Sequence, residues 1–293
     1  MASNRPADPP DDLLARLGSL TAEARVRAEA QRTQVQLALA LQRGMLPGEL
    51  PVVPGLRVAA RYAPAFTGLN VGGDWYDGFL LPDGCIGYSI GDVQGHTIEA
   101  AAFMGQVRVG LRALGSVTSD PGELLASTNE LLLSIGAPLF ATCTMVRFDP
   151  VAWELRSARA GHVPLVRATP DGRAGVIEDE GGPPLGVQPG AVYPVTRYRL
   201  SGPGVFVLVT DGVVEGPSLP LEDGLQQVAR LAGVGTGAAL SAEPLATSVM
   251  RIADSIGHED DAAVLVITHD GPPDAARDHP ARAHRAPSGP PDA

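Results

Sequence analysis

Aspartates stand at three places where a buried strand should end. In GVFVLVTDGVVE an apolar run leads into Thr210-Asp211-Gly212; in CIGYSIGDVQGH, Asp92 closes a strand between Gly91 and Gly95. In HEDDAAVLVIT, Asp260 and Asp261 open a wholly apolar strand. A fourth segment, VGGDWYDG, adds Asp74 and Asp77, and its paired glycines let the backbone come close to an ion or a phosphate. A carboxylate at the lip of a buried strand is costly unless something compensates it. Arginine could do so, but none adjoins these segments in the sequence. A hard divalent cation held by carboxylates, backbone carbonyls and water is the other common solution. A single Asp-Gly reads as a turn; acidic strand ends recurring along one chain point to a shared site and to metal-assisted chemistry.

Other reactive groups are sparse. Cys85 and Cys143 both lie in apolar stretches and read as buried free thiols. No Cys-His or Ser-His-Asp arrangement stands out. His96 falls in the turn after Asp92, where it could hold the turn or donate a proton. His162 reads as a strand-end residue, and His258 as a group behind the Asp pair. Trp75 and Tyr76 read as core and rim aromatics. Arg61, in the strand before the Asp74 segment, is the candidate to steady a phosphate.

These residues need a scaffold of strands. Segments 56–63, 84–92, 141–149, 153–161, 164–169, 192–200, 204–211 and 262–268 are strand-like and bounded by Gly, Pro or Asp. Several alternate apolar and polar, as sheets with one covered face do. Helices are expected over 98–114 and 121–135, the second capped by Asp120, and over 221–231 and 243–255. Strands in runs with helices in pairs argue for an α+β, layered αββα domain rather than βαβ winding. That domain is expected over 47–269. Before it, 13–46 reads as a helical linker in which Val26, Ala30, Thr33, Leu37 and Ala40 form a short heptad-like seam. The seam suits a helix packed on its own domain or one that dimerises or carries a signal. Segments 1–12 and 270–293 are polar, proline-rich and expected to be disordered.

Composition narrows the chemistry further. The 22 basic residues are all arginine, which removes the Walker A lysine, the kinase lysine and Schiff-base catalysis. A formal charge of −11 disfavours nucleic acid and anionic membranes as partners. No apolar run is long enough to span a bilayer, and the N-terminus has no signal-peptide pattern, so a cytoplasmic location is expected.

The ordered set LQRGMLP (41–47), VGGDWYD (71–77), GDVQGH (91–96), AGHVPLV (160–166), GGPPLGV (181–187), TDGVVE (210–215) and DDAAVLV (260–266) resembles the SpoIIE/RsbU-like branch of the PPM-type (type 2C) serine/threonine phosphatases. The resemblance implies a central β-sandwich flanked by helix pairs and a site for two Mn2+ or Mg2+ ions. Asp92 matches the aspartate that bridges the ions, and Val93 the residue whose carbonyl is a ligand. Asp211 and Asp260 match the late ligands, and Asp74 the acidic residue serving the second ion. Gly73, Asp77 and Asp261 take supporting positions. The implied catalysts are Asp92 and Asp211, acting through metal-activated water. The implied substrate is a phosphoserine or phosphothreonine protein, often an anti-sigma-factor antagonist. Three positions depart from the pattern: Gln94 stands in place of a serine, Thr97 in place of a glycine, where it can cap the next helix, and Ala263 in place of a hydroxyl residue. The alternative is a pseudophosphatase, the same fold used as a regulatory binding module. Hydrolysis of a small phosphorylated metabolite ranks behind both, because the strand connections leave no lid.

Overall fold

The computed structural model describes residues 10–64, 72–95, 97–136, 138–235, 241–257 and 260–273. In chain order its elements are α1 (Pro10–Met45), β1 (Leu56–Ala63), β2 (Trp75–Leu80), β3 (Ile86–Val93), α2 (Ile98–Gly115), α3 (Pro121–Ile135), β4 (Ala141–Asp149) and β5 (Glu154–Ala160). There follow β6 (Val166–Ala168), β7 (Ala174–Val176), β8 (Val195–Arg199), β9 (Gly204–Val209), α4 (Asp211–Val214), α5 (Leu221–Gly235), α6 (Ala242–Ile256) and β10 (Ala262–His269). The strands form two sheets, β1-β10-β9-β6-β7 and β2-β3-β4-β5-β8, and every strand pair is antiparallel.

Period-two alternation explains how the sheets stack. Along β10, Ala263, Leu265 and Ile267 point between the sheets, while Val264 and Val266 point to the helices α5 and α6. Along β9, Phe206 and Leu208 take the inner face and Val205, Val207 and Val209 the outer one. Ile86, Tyr88 and Ile90 of β3 meet them from the other sheet. The outer face of that sheet carries Met145, Cys143 and Ala158 against Met104, Val107 and Leu111 of α2 and Leu124 and Leu125 of α3. Three apolar layers thus lie between four layers of structure, the expected αββα sandwich. Both cysteines are free and buried.

Helix starts follow local chemistry. Thr97 caps α2, its hydroxyl accepting from Ala100 N at 3.3 Å, and Asp120 caps α3 through Gly122 N and Glu123 N at 2.9 and 3.1 Å. α1 begins at Pro10, inside the stretch expected to be disordered. Along its seam Val26, Ala30 and Thr33 are exposed; the side chains of Leu37 and Ala40 lie outside the described residues. Asp270 follows β10 and is held by Arg57, at 2.5 and 3.1 Å, so order continues just past the expected domain end. The remainder of the two ends, 1–9 and 274–293, lies outside the described residues. Among the described residues no helix is long and apolar enough to cross a membrane.

Candidate active site

One end of the sandwich gathers the acidic segments. Asp92 sits near the end of β3, Asp211 directly after β9, and Asp260 and Asp261 directly before β10. Antiparallel pairing makes this convergence unavoidable: β10 pairs with β9 so that the end of one lies beside the start of the other. Asp74 precedes β2, which pairs with β3 so that Trp75 lies opposite Gly91.

Three glycines make room for the approach. A Cβ on Gly72 would fall on the Asp261 carboxylate, and one on Gly212 would fall on the Asp261 carbonyl. A Cβ on Gly73 would sit 2.5 Å from the Val93 carbonyl oxygen, and the Val93 N–H donates to Gly73 O at 3.3 Å. The Gly72-Gly73 pair therefore packs the Asp74 segment directly against Asp261 and Val93.

Side-chain bonds fix the inner carboxylates. The Thr210 hydroxyl donates to Asp74 Oδ2 at 2.7 Å and accepts from Ala263 N at 2.8 Å, tying the Asp74 segment to β9 and β10. The Tyr62 hydroxyl donates to Asp261 Oδ2. Asp74 and Asp261 are each 1% exposed, whereas Asp260 is exposed and Asp92 and Asp211 are half-buried. The site therefore has a dry floor and a wet rim.

Its electrostatics are those of crowded acids. Burial pushes the Asp74 carboxyl well above the usual carboxylate range, and the charges of Asp92, Asp261 and Asp211 push it further. Asp92 is raised by burial and then by Asp211, Asp260 and Asp261, while a hydrogen bond with Asp74 opposes the rise. Asp211 is raised by burial and by Asp260. Asp92 is thus acted on by all four of the others. Tyr62 is held protonated by burial and by the same acids.

The donor set consists of hard oxygens, the kind that suits Mg2+ or Mn2+. Among the described residues, no group of three or more His, Cys, Asp or Glu side chains is drawn together closely enough to hold an ion as it stands. The arrangement is a field of mutually repelling acids, which a cation would relieve, rather than a closed cage.

Two of the expected residues are engaged by groups outside the acidic cluster. Asp77 is fully buried, but its carboxylate is taken by α2: Arg108 Nε donates at 2.8 Å, and Arg112 donates twice at 2.7 Å. Arg61 pairs with Glu243 of α6 and also donates to Ala60 O at 2.9 Å. Ala263 lies fully buried in the layer between the sheets, with only its backbone engaged by Thr210. His162 is buried, with Nδ1 2.8 Å from Thr142 Oγ1; burial and Arg159 push it down to about 3, so it is neutral. Trp75 is wholly buried and Tyr76 half-buried. His96 and His258 lie outside the described residues. Tyr62 and the hydroxyl role of Thr210 escape sequence reasoning, because only the β1–β10 register, with Tyr62 opposite Ala263, brings Tyr62 to the Asp pair.

Comparison with known proteins gives the same frame. Residues 82–270 match the family described as Stage II sporulation protein E (SpoIIE). The chain is 24% identical over 185 residues to phosphoserine phosphatase RsbU of Bacillus subtilis, covering 63% of this chain and 54% of that protein. It spans about half the length or less of the curated relatives it matches. Among solved structures, the RsbU and RsbW domains of Rv1364c from Mycobacterium tuberculosis share 31% identity and a TM-score of 0.70, over 78% of this chain and 64% of that one. RsbX, solved in complex with magnesium, shares the fold at 13% identity and a TM-score of 0.59, over 76% of this chain and 99% of that one.

Proposed function

Because the chain belongs to the SpoIIE family of PPM-type phosphatases, we propose that it hydrolyses phosphoserine or phosphothreonine esters on a protein partner. The observation that carries this reading is the gathering of Asp74, Asp92, Asp211, Asp260 and Asp261 at one sandwich end, where they raise one another's carboxyl pKa values. In this reading Asp92 would serve both ions, with Asp211 and Asp260 on one and Asp74 on the other, and the Val93 carbonyl would be a further ligand; each ion would be Mn2+ or Mg2+. Bound there, the ions would supply a water of lowered pKa and positive charge for the phosphate oxygens.

The chain's own contribution is placement. Asp92 lies where both halves of the cluster act on it, which suits a shared ligand. Thr210 orients Asp74, and Tyr62 orients Asp261, so the buried floor keeps its geometry while the rim exchanges with solvent. The exposed side of Asp260 and the half-buried Asp92 and Asp211 leave the rim open to a phosphorylated side chain presented by another protein. A partner-switching substrate, an anti-sigma-factor antagonist, is the proposed kind of partner. In α1, Leu20 and Val26 are 63% and 66% exposed, which supports pairing with a second copy of the chain.

The assay is manganese-dependent phosphate release from p-nitrophenyl phosphate. Turnover by the wild type and its loss in Asp211→Asn are expected; a wild type that binds manganese without turnover sinks the enzyme reading. That result would favour a regulatory module of the same fold. Removal of residues 1–40 is expected to change oligomeric state or activity, read by light scattering and the same assay. An unchanged truncated protein would refute the role given to α1.

A further inference from the structure

A second polar cavity lies at the other end of the sandwich. It encloses about 640 Å3, and Arg167, Arg173, Val176, Ile177, Ser201 and His269 are among its walls. β10 runs the length of the sandwich from Ala262, beside the acidic cluster, to His269. At roughly 3.3 Å per residue that is about 25 Å of strand, so the cavity and the acidic cluster share no residues.

Its floor is built from groups that an apolar core would not choose. His269 continues the inward series of Ala263, Leu265 and Ile267, and only 2% of it is exposed. Among the described residues neither ring nitrogen has a well-formed hydrogen bond, and the Gly202 backbone is the polar group that faces the ring as an acceptor. Gly204 stands opposite in β9, where a Cβ would sit 2.6 Å from His269 Nε2, and the ring tilts against Phe206 at 5.8 Å. Arg167, half-buried, lies over Tyr198 and Phe206 at 5.6 and 5.5 Å, and its buried Nε also has no partner. Stacking of this kind leaves the edge of a guanidinium free to donate.

Leaving such donors unpaired in a buried place is costly, and a ligand that pairs them recovers that cost. Burial and Arg167 push His269 down to about 4, so near neutral pH one ring nitrogen donates and the other accepts. Arg173 at the mouth pairs with Asp171 and remains 85% exposed. Asp171 also lines the hollow and balances Arg173, and His269 is neutral, so Arg167 carries its remaining positive charge; the hollow is partly apolar and of the size that small ligands occupy.

We infer that this cavity binds a small organic anion, with its carboxylate or phosphate group against Arg167 and His269 and its body along Val176 and Ile177. The site is independent of the acidic cluster and needs no metal.

The test uses the full chain stripped of metal with EDTA and then dialysed free of it, since EDTA is itself an organic anion; without metal, the acidic end cannot capture the probe. Citrate and adenosine monophosphate are the organic carboxylate and phosphate probes; adenosine and inorganic phosphate are the controls. Binding is read by calorimetry and by the histidine side-chain NMR signals. At least one organic anion should saturate and move the His269 ring signals, while adenosine should not. Arg167→Gln should weaken it by about tenfold or more, and Arg173→Gln, at the exposed mouth, by about two- to threefold. The inference is overturned if neither anion gives a saturable shift at millimolar concentration, or if adenosine binds as well. It is also overturned if inorganic phosphate binds as tightly as the organic anions, or if a folded Arg167→Gln protein binds unchanged. Because no turnover is measured, failure here is distinct from failure of the phosphatase reading.

Discussion

Asp74 and Asp77 belong to one short segment, GGDWYDG, and are equally buried at 1% and 0% exposure, yet their surroundings are opposite. Asp77 faces the two arginines of α2, and its charge is matched by short bonds from both. Asp74 faces other acids, and among the described residues no cation reaches it; the Thr210 hydroxyl and a bond shared with Asp92 steady it. The first arrangement is complete in itself and holds β2 to α2. The second is unbalanced, and a buried imbalance of charge is where a protein keeps binding capacity rather than stability.

The sharpest way to break that contrast is to neutralise one carboxylate from each side. Asp211→Asn should lower metal-dependent hydrolysis by about a hundredfold or more, while the metal-free protein melts no lower than wild type, because a repulsive charge has gone. Asp77→Asn should do the reverse. Arg108 is 15% exposed and Arg112 44%, so after allowance for solvent the expected loss in a urea unfolding curve is about 2 kcal/mol. Its turnover well below the melting temperature should stay near wild type. A large activity loss in Asp77→Asn at full folding would erase the distinction.

Titration sharpens it next. The raised pKa values of Asp74, Asp92 and Asp211 mean that the folded state holds protons that the unfolded chain has released. Stability in EDTA should therefore fall as pH rises from about the ordinary carboxylate value toward neutrality. Saturating manganese should flatten or invert that slope, as read by thermal melts across pH. A slope that ignores the metal would mean the acids and the ion are not linked. The smallest effect is expected at Arg61→Gln, whose exposed pair with Glu243 contributes about 0.5 kcal/mol or less, with hydrolysis changed by no more than about threefold.

Much of this fold is legible without coordinates. β1, β4, β9, β10 and the four helices of the sandwich lie within a few residues of where alternation, turns and caps put them. β2, β7 and α4 are the exceptions; in β2, WYDGFL carries Asp and Gly, reads as an acidic loop, and becomes a strand only through pairing with β3 at the sheet edge. The acidic convergence was legible for a similar reason, since each aspartate marks a strand end. What stayed hidden was compensation. Nothing near Asp77 in sequence announces its arginines, which arrive one helical turn apart on α2. Arg61 likewise looked free until α6 placed Glu243 against it. Such partners are set by packing, and local pattern does not carry them.

Gly72 has a consequence for how this sequence can vary. Its φ is not in the left-handed region, so no backbone preference reserves the position for glycine. What reserves it is the Asp261 carboxylate, which occupies the space where a side chain would begin. Two positions far apart along the chain therefore share one small volume. In a saturation library, a larger residue at Gly72 should survive only beside a shorter one at Asp261, and any such pair would keep the sandwich while surrendering its acidic floor.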